Sequence, residues 1–169
     1  MIGKNTESLL MENQETLIIP AENVATVLYS HPLEHALLIL SKVGYSKIPV
    51  LDSNDRLVGL ISLANIVNKM MGLTGFDTSL MEGMTVADVM EVNVPTVTNP
   101  EDLEEILHLL VDASFLPLVD EEETFVGIIT RKEILKSVNH LVHEVETRFL
   151  FVPKNQELDE KPLQQEINI

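Results

Sequence analysis

The sequence predicts an α/β fold: two tandem copies of a β-α-β-β-α unit, packed by pseudo-twofold symmetry into one module. Three observations predict it. "KIPVLDSNDRLVGLIS", starting at Lys47, returns sixty-eight positions later as "FLPLVDEEETFVGIIT", starting at Phe115. Each of these stretches reads as two strands around a polar turn, and each lies between two segments with apolar residues at helical spacing. At 169 residues and 45% hydrophobic, the chain has material for one domain, or for two small ones that share a core.

Sliding the chain on itself by sixty-eight positions pairs Pro32 with Pro100, Pro49 with Pro117, Asp52 with Asp120 and Gly59 with Gly127. On this reading the register needs no gap between about Val24 and Leu135, which marks a duplicated supersecondary unit. The elements follow in order. "NVATVL" and "NVPTVT" are short and β-branched, so both read as strands. "TNPEDLEEILHLLVDA" reads as a helix capped by Asn99, with Pro100 at its first position and Glu101 and Asp102 at the positive end of the dipole. In the first copy Ser30 or His31 is the weaker cap, and Gly44 is the C-terminal stop. The hairpins turn at "SNDR" and "EEET", and helices at "LANIVNKMMG" and "RKEILKSVNHLVHEVETRFL" close the two copies. The expected organisation is an N-terminal helical segment over 1–16, a first repeat over 17–75, a linker over 76–84, a second repeat over 85–150 and an acidic, disordered tail over 151–169.

Composition narrows the function classes. A formal net charge of −16 leaves no broad basic face for a nucleic acid. The chain has no cysteine, which removes disulfides and thiolate metal sites and suggests a reducing compartment. No apolar run is long enough to cross a bilayer, so a soluble cytoplasmic protein is expected. Among eleven lysines and arginines one adjacent pair stands out, Arg131-Lys132 at the start of the last helix.

The twice-written pattern of an apolar residue, Pro, Val or Leu, and Asp, followed by an apolar-Gly-apolar strand ending in Ser62 or Thr130, resembles the CBS domain. Two in tandem form a CBS pair, or Bateman module, and "MTVADVM" at Met84–Met90 looks like the lead into a second repeat. The match covers roughly Leu17 to Val142. "LEHALLILSKVGYSKIPVLD" together with "GIITRK" is similar to the stand-alone CBS-pair proteins of Gram-positive bacteria that bind cyclic di-AMP. The resemblance implies a sensor without a catalytic domain and a homodimeric disc of paired modules. It also implies a target such as a (p)ppGpp synthetase/hydrolase or a carboxylase of central metabolism.

Carried over position by position, the implied ligand site comprises Ala25, Val27, Tyr45, Ser46, Lys47, Ile48, Arg131 and Lys132. The chemistry of the ligand suits these residue types. A purine needs a slot such as small residues at Ala25 and Val27 leave, with Tyr45 to stack on a base and Ser46, Lys47 and Ile48 to read its edge. Phosphates need cations and helix N-termini, which Arg131-Lys132 supply together. Where CBS repeats that hold AMP or ATP usually carry a ribose-binding Asp, this chain has Asn65 after Ser62 and Glu133 after Thr130. These four are the candidate ribose contacts, and the replacements favour a cyclic dinucleotide over a mononucleotide. Tyr45 and Lys47 have no counterpart in the second copy, nor Arg131-Lys132 in the first, so one occupied site per chain is expected.

Other constellations lead to bland readings. His31 with His35, and His140 with His143, lack a third metal ligand at diagnostic spacing. Glu121, Glu122 and Glu123 fill a hairpin turn, and the methionines around the linker read as adaptable core or dimer contacts. No nucleophile elbow or phosphate-binding loop is present, so no catalytic residue, metal or cofactor is expected. The rival readings are an AMP, ADP or ATP sensor and a ligand-free interaction scaffold.

Overall fold

The apolar periodicity of Leu33, Ala36 and Leu40 buries one side of the first long helix, α1 (Leu33–Val43), which Gly44 ends in a left-handed conformation at φ 69°. In the computed structural model, which describes residues 17–72 and 75–148, α1 lies between β2 (Val27–Leu28) and β3 (Lys47–Leu51). β2 pairs parallel with β3, and β3 antiparallel with β4 (Leu57–Ser62), giving a sheet in the order β2-β3-β4. α2 (Leu63–Met70) follows directly, then a small ribbon of β5 (Met71–Gly72) and β6 (Gly75–Phe76). The second copy supplies α3 (Leu103–Leu109), β7 (Phe115–Val119), β8 (Phe125–Thr130) and α4 (Arg131–Arg148). The helical segment and the tail expected over 1–16 and 151–169 lie outside the described residues.

The second sheet differs from the first. Its order is β1-β8-β7, and β1 (Ile18–Pro20) comes from the start of the first copy. Leu17 is buried in the core of the second copy, while Val86, beyond the linker, is buried in the core of the first. Each unit thus closes its sheet edge with chain from outside its own hairpin. Glycine makes this approach possible. A Cβ on Gly127 would lie 2.4 Å from the Ile19 carbonyl oxygen, and one on Gly59 would lie 2.4 Å from that of Glu91.

Three expectations are corrected. The ungapped register does not hold throughout. The hairpins are sixty-eight positions apart, but the first strands and helices are seventy apart: Val27 pairs with Val50 as Val97 does with Leu118. Leu33, Ala36 and Leu40 are matched in the core by Leu103, Ile106 and Leu110. The first copy therefore has two more residues between its first helix and β3, in the loop that carries Tyr45. "NVPTVT" is not a strand but the single Val97–Leu118 bridge, because Pro95 brings no N–H to a ladder. Finally, α3 is capped by Asp102, whose carboxylate accepts from the Glu105 N–H at 3.0 Å, while Asn99 closes only a turn onto the Glu101 N–H. In the first copy Pro32 occupies the cap, without a side-chain bond, and the linker compensates: the Leu33 N–H donates to the Met84 carbonyl at 3.0 Å.

The two sheets meet through Leu51, Phe125 and Ile128, packed by Leu28, Leu57 and Phe115. The hairpin turns are stitched reciprocally. Asp55 and Glu123 both sit at positive φ, 60° and 65°, and each offers its carbonyl to the other hairpin: Phe125 N–H donates to Asp55 at 2.8 Å, and Leu57 N–H to Glu123 at 3.1 Å. Asp52 and Asp120 fold these turns alike, each with one carboxylate oxygen accepting two backbone N–H groups. Met81 is buried in the first core with Met70, and Met84 and Met90 pack against it. No helix among the described residues is long and apolar enough to cross a membrane.

Candidate functional site

The duplication creates two clefts related by its pseudo-symmetry, of about 550 Å³ and 560 Å³. Both sizes suit a nucleotide-like ligand. The first lies between β3 of the first copy and the junction of β8 with α4. Its floor and walls are apolar where Ile19, Val24, Ile48 and Ile128 face it, with Phe115 and Pro49 beside them. Its rim is polar: Tyr45, Ser46 and Lys47 come from the two-residue-longer loop and the start of β3, and Thr130, Lys132 and Glu133 from the start of α4.

Of the residues anticipated from sequence, the structure brings Ala25, Tyr45, Ser46, Lys47, Ile48 and Lys132 together in this cleft. Tyr45 is 54% exposed, with its ring uncommitted to the core, as a stacking surface requires. Two anticipated residues lie elsewhere. Val27 is 2% exposed and packs in the first core, because the alternation of β2 turns it inward. Arg131 lines the second cleft and is committed to the end of α3. Its Nε donates to the Leu110 carbonyl at 2.9 Å, and its Nη2 to Val111 and Ala113 at 3.0 and 2.8 Å. It satisfies carbonyls that a helix C-terminus leaves open, where a cation is favoured.

The ribose candidates divide between the copies. Ser62 and Asn65 form a capping box: Ser62 Oγ accepts from the Asn65 N–H at 3.0 Å, and Asn65 Oδ1 accepts from the Ser62 N–H at 2.9 Å and from the Ser62 hydroxyl. Ser62 is 5% exposed, so this pair is turned onto the helix it starts. Thr130 accepts from the Glu133 N–H at 3.1 Å, but Glu133 does not close back. Its carboxylate pairs with Lys136 at 2.6 Å, and both Thr130 and Glu133 line the first cleft.

The second cleft has the same frame and different chemistry. Glu91, His108 and Asp112 line it, together with Lys47 and Arg131. Lys47 faces both clefts and forms an ion pair with Glu91 at 2.5 Å. Sequence reasoning missed Ile19, Val24, Phe115 and Ile128; the β1 exchange brings Ile19 to the cleft from across the sheet. The carboxyls held below their ordinary range are Asp52, through the Arg56 and Asn54 N–H groups, Asp77, through the Ser79 hydroxyl and N–H, and Asp88, through the Thr85 N–H and hydroxyl. All three shape turns, and none lines either cleft. Among the described residues, no group of three or more His, Asp or Glu side chains is placed to hold a metal ion.

Known proteins share this architecture. The CBS domain matches residues 17–72 and again 86–140. Cyclic di-AMP receptor B of Bacillus subtilis is 34% identical over 139 residues, covering 82% of this chain and 95% of its own. The crystal structure of CbpB from Streptococcus agalactiae superposes with a TM-score of 0.80 at 31% identity, over 90% of this chain and 96% of that one. Listeria monocytogenes CbpB in complex with c-di-AMP superposes with a TM-score of 0.71 at 45% identity, over 75% and 95%. The chain belongs to the CBS-domain family, as a tandem pair.

Proposed function

We propose that this CBS pair is a non-catalytic receptor that binds cyclic di-AMP in the first cleft and changes its grip on a target protein. The observation that carries the reading is the asymmetry of the clefts: the first joins an exposed aromatic, Tyr45, and Lys132 at the start of a long helix to an apolar floor, whereas in the second Arg131, at the same helix start, is committed to the Leu110, Val111 and Ala113 carbonyls. One adenine would stack on Tyr45, with the Ser46–Ile48 backbone at its edge. Lys132 and Lys47 would meet a phosphate, aided by the N-terminus of α4. The two relatives described as a cyclic di-AMP receptor and as a c-di-AMP complex support the same ligand. Regulation would work by population shift: a ligand joining the β3 loop of one copy to α4 of the other favours one arrangement, and the target binds a single arrangement. The target is an enzyme such as a (p)ppGpp synthetase/hydrolase or a carboxylase, and the receptor acts in the cytoplasm as a homodimer. Leu63, Leu135 and Val142, exposed on α2 and α4, support the association of two copies.

A second reading is a sensor of AMP, ADP or ATP. Thr130 and Glu133 favour it, since both line the first cleft where ribose hydroxyls would be bound. A thermal-shift screen with cyclic di-AMP, cyclic di-GMP, AMP, ADP and ATP separates the two, because a ligand of the native state raises the melting temperature by mass action. A shift with cyclic di-AMP alone is expected. A shift with mononucleotides alone would move the assignment to the second reading, and no shift at all would leave an interaction scaffold.

A further inference from the structure

Lys47 stands on the wall between the two clefts and is already partnered. Its Nζ lies 2.5 Å from Glu91 Oε2, with the two side chains 35% and 39% exposed. Glu91 is not a loose surface carboxylate. Its backbone is clamped to the edge of β4 by reciprocal bonds, Glu91 N–H to the Leu60 carbonyl at 2.8 Å and Leu60 N–H to the Glu91 carbonyl at 3.0 Å. Gly59 lets that carbonyl approach. The carboxylate is therefore delivered to Lys47 from a fixed point of the connection between the repeats, and it faces the second cleft and not the first.

We infer that Glu91 is a built-in anionic competitor, holding the Lys47 ammonium in the second cleft until a phosphate in the first cleft displaces it. The inference rests on the ligand reading proposed above. An ammonium on a four-carbon stem can turn between two anions on either side of its wall, but it pairs fully with one at a time. Ligand binding then includes the loss of a half-exposed ion pair, which sets the affinity below what the cleft alone would give. The same carboxylate, with Asp112, opposes an anion in the second cleft, so Glu91 also helps restrict the ligand to one site per chain.

The test is calorimetric titration of cyclic di-AMP into the full chain as wild type, Glu91→Gln, Lys47→Met and the double variant. Gln keeps the backbone bonds that hold the connection, and a melting temperature lowered by no more than the loss of one half-exposed ion pair checks this. Glu91→Gln is expected to tighten binding by about two- to fivefold, the range of a half-exposed ion pair. In the Lys47→Met background the same change is expected to do nothing. Equal tightening in both backgrounds would show a general field effect of the lost charge and overturn the inference, as would unchanged or weaker binding by Glu91→Gln alone. A wild type that binds no cyclic di-AMP would remove the ligand reading itself, an outcome distinct from binding that ignores Glu91.

Discussion

The first cleft is walled by β1, reached across the sheet from the start of the chain, and is rimmed by Tyr45, Lys47 and Lys132. The second is walled in the equivalent way by the connection at Glu91, and there Glu91, Asp112 and His108 take the rim. Their volumes nearly agree, about 550 and 560 Å³, so size does not separate them. The side chains at the two helix starts do. α2 opens on Ser62 and Asn65, which bond to each other, and α4 opens on Thr130, Lys132 and Glu133, which face the cleft. Duplication supplies two frames from one set of strand and helix rules. A few substitutions, and two extra residues before β3, then give one frame the exposed Tyr45 and the Lys132 that the proposed ligand calls for.

The sharpest way to test this contrast is to remove Lys132, which lines the first cleft and not the second, where Arg131 at the same helix start is committed to the end of α3. Lys132→Ala should weaken cyclic di-AMP binding by about 1.5–3 kcal/mol, the range of a lost charged hydrogen bond, while leaving the melting temperature near that of the wild type. Titration calorimetry reads the first and a melt the second. Next come the glycines under the exchanged edges. Gly127→Ala and Gly59→Ala should each cost about 1–3 kcal/mol of stability, because the new Cβ meets a backbone carbonyl that must move. The two should part in binding: Gly127→Ala lifts β1 from the first cleft and weakens it, and Gly59→Ala disturbs the second and does not. Denaturant melts with parallel titrations separate these outcomes.

Arg131 gives a smaller effect of the opposite kind. It reads in sequence as half of a phosphate-binding pair, yet its guanidinium closes the end of α3. Arg131→Ala should therefore cost about 1 kcal/mol of stability, measurable by denaturation, and change ligand affinity less than Lys132→Ala does. The smallest effect concerns the turns. The Asp52 carboxyl is held below its ordinary range by backbone N–H groups, so its contribution to stability is present above its unfolded pKa and is lost as pH falls through the lower folded value. Asp52→Ala should flatten that part of the acid limb of a pH–stability curve.

Much of this was legible in the sequence because the repeat is local. The hairpins and the Gly44 stop follow from short patterns, and the resemblance to the family pointed to Tyr45, Ser46, Lys47 and Lys132, which the structure gathers at one cleft. What was not legible depends on long-range packing. The pairing of β1 with β8 spans more than a hundred residues, and it brings Ile19 to the cleft. Val27 reads as a pocket residue because strand spacing alone does not say which face a two-residue strand turns inward. The seventy-position offset of the first strands and helices was hidden because Pro32 and Pro100 match at sixty-eight. Asn99 and Asp102 are both good caps by residue type, and the helix that begins at Leu103 takes Asp102.

The central claim is that one of two equivalent frames binds the dinucleotide. Its most direct test is the stoichiometry of cyclic di-AMP binding to the full chain by titration calorimetry, with wild type and Lys132→Ala side by side. The account predicts one ligand per chain, weakened by the substitution. Two ligands per chain, or a single one indifferent to Lys132, would contradict it.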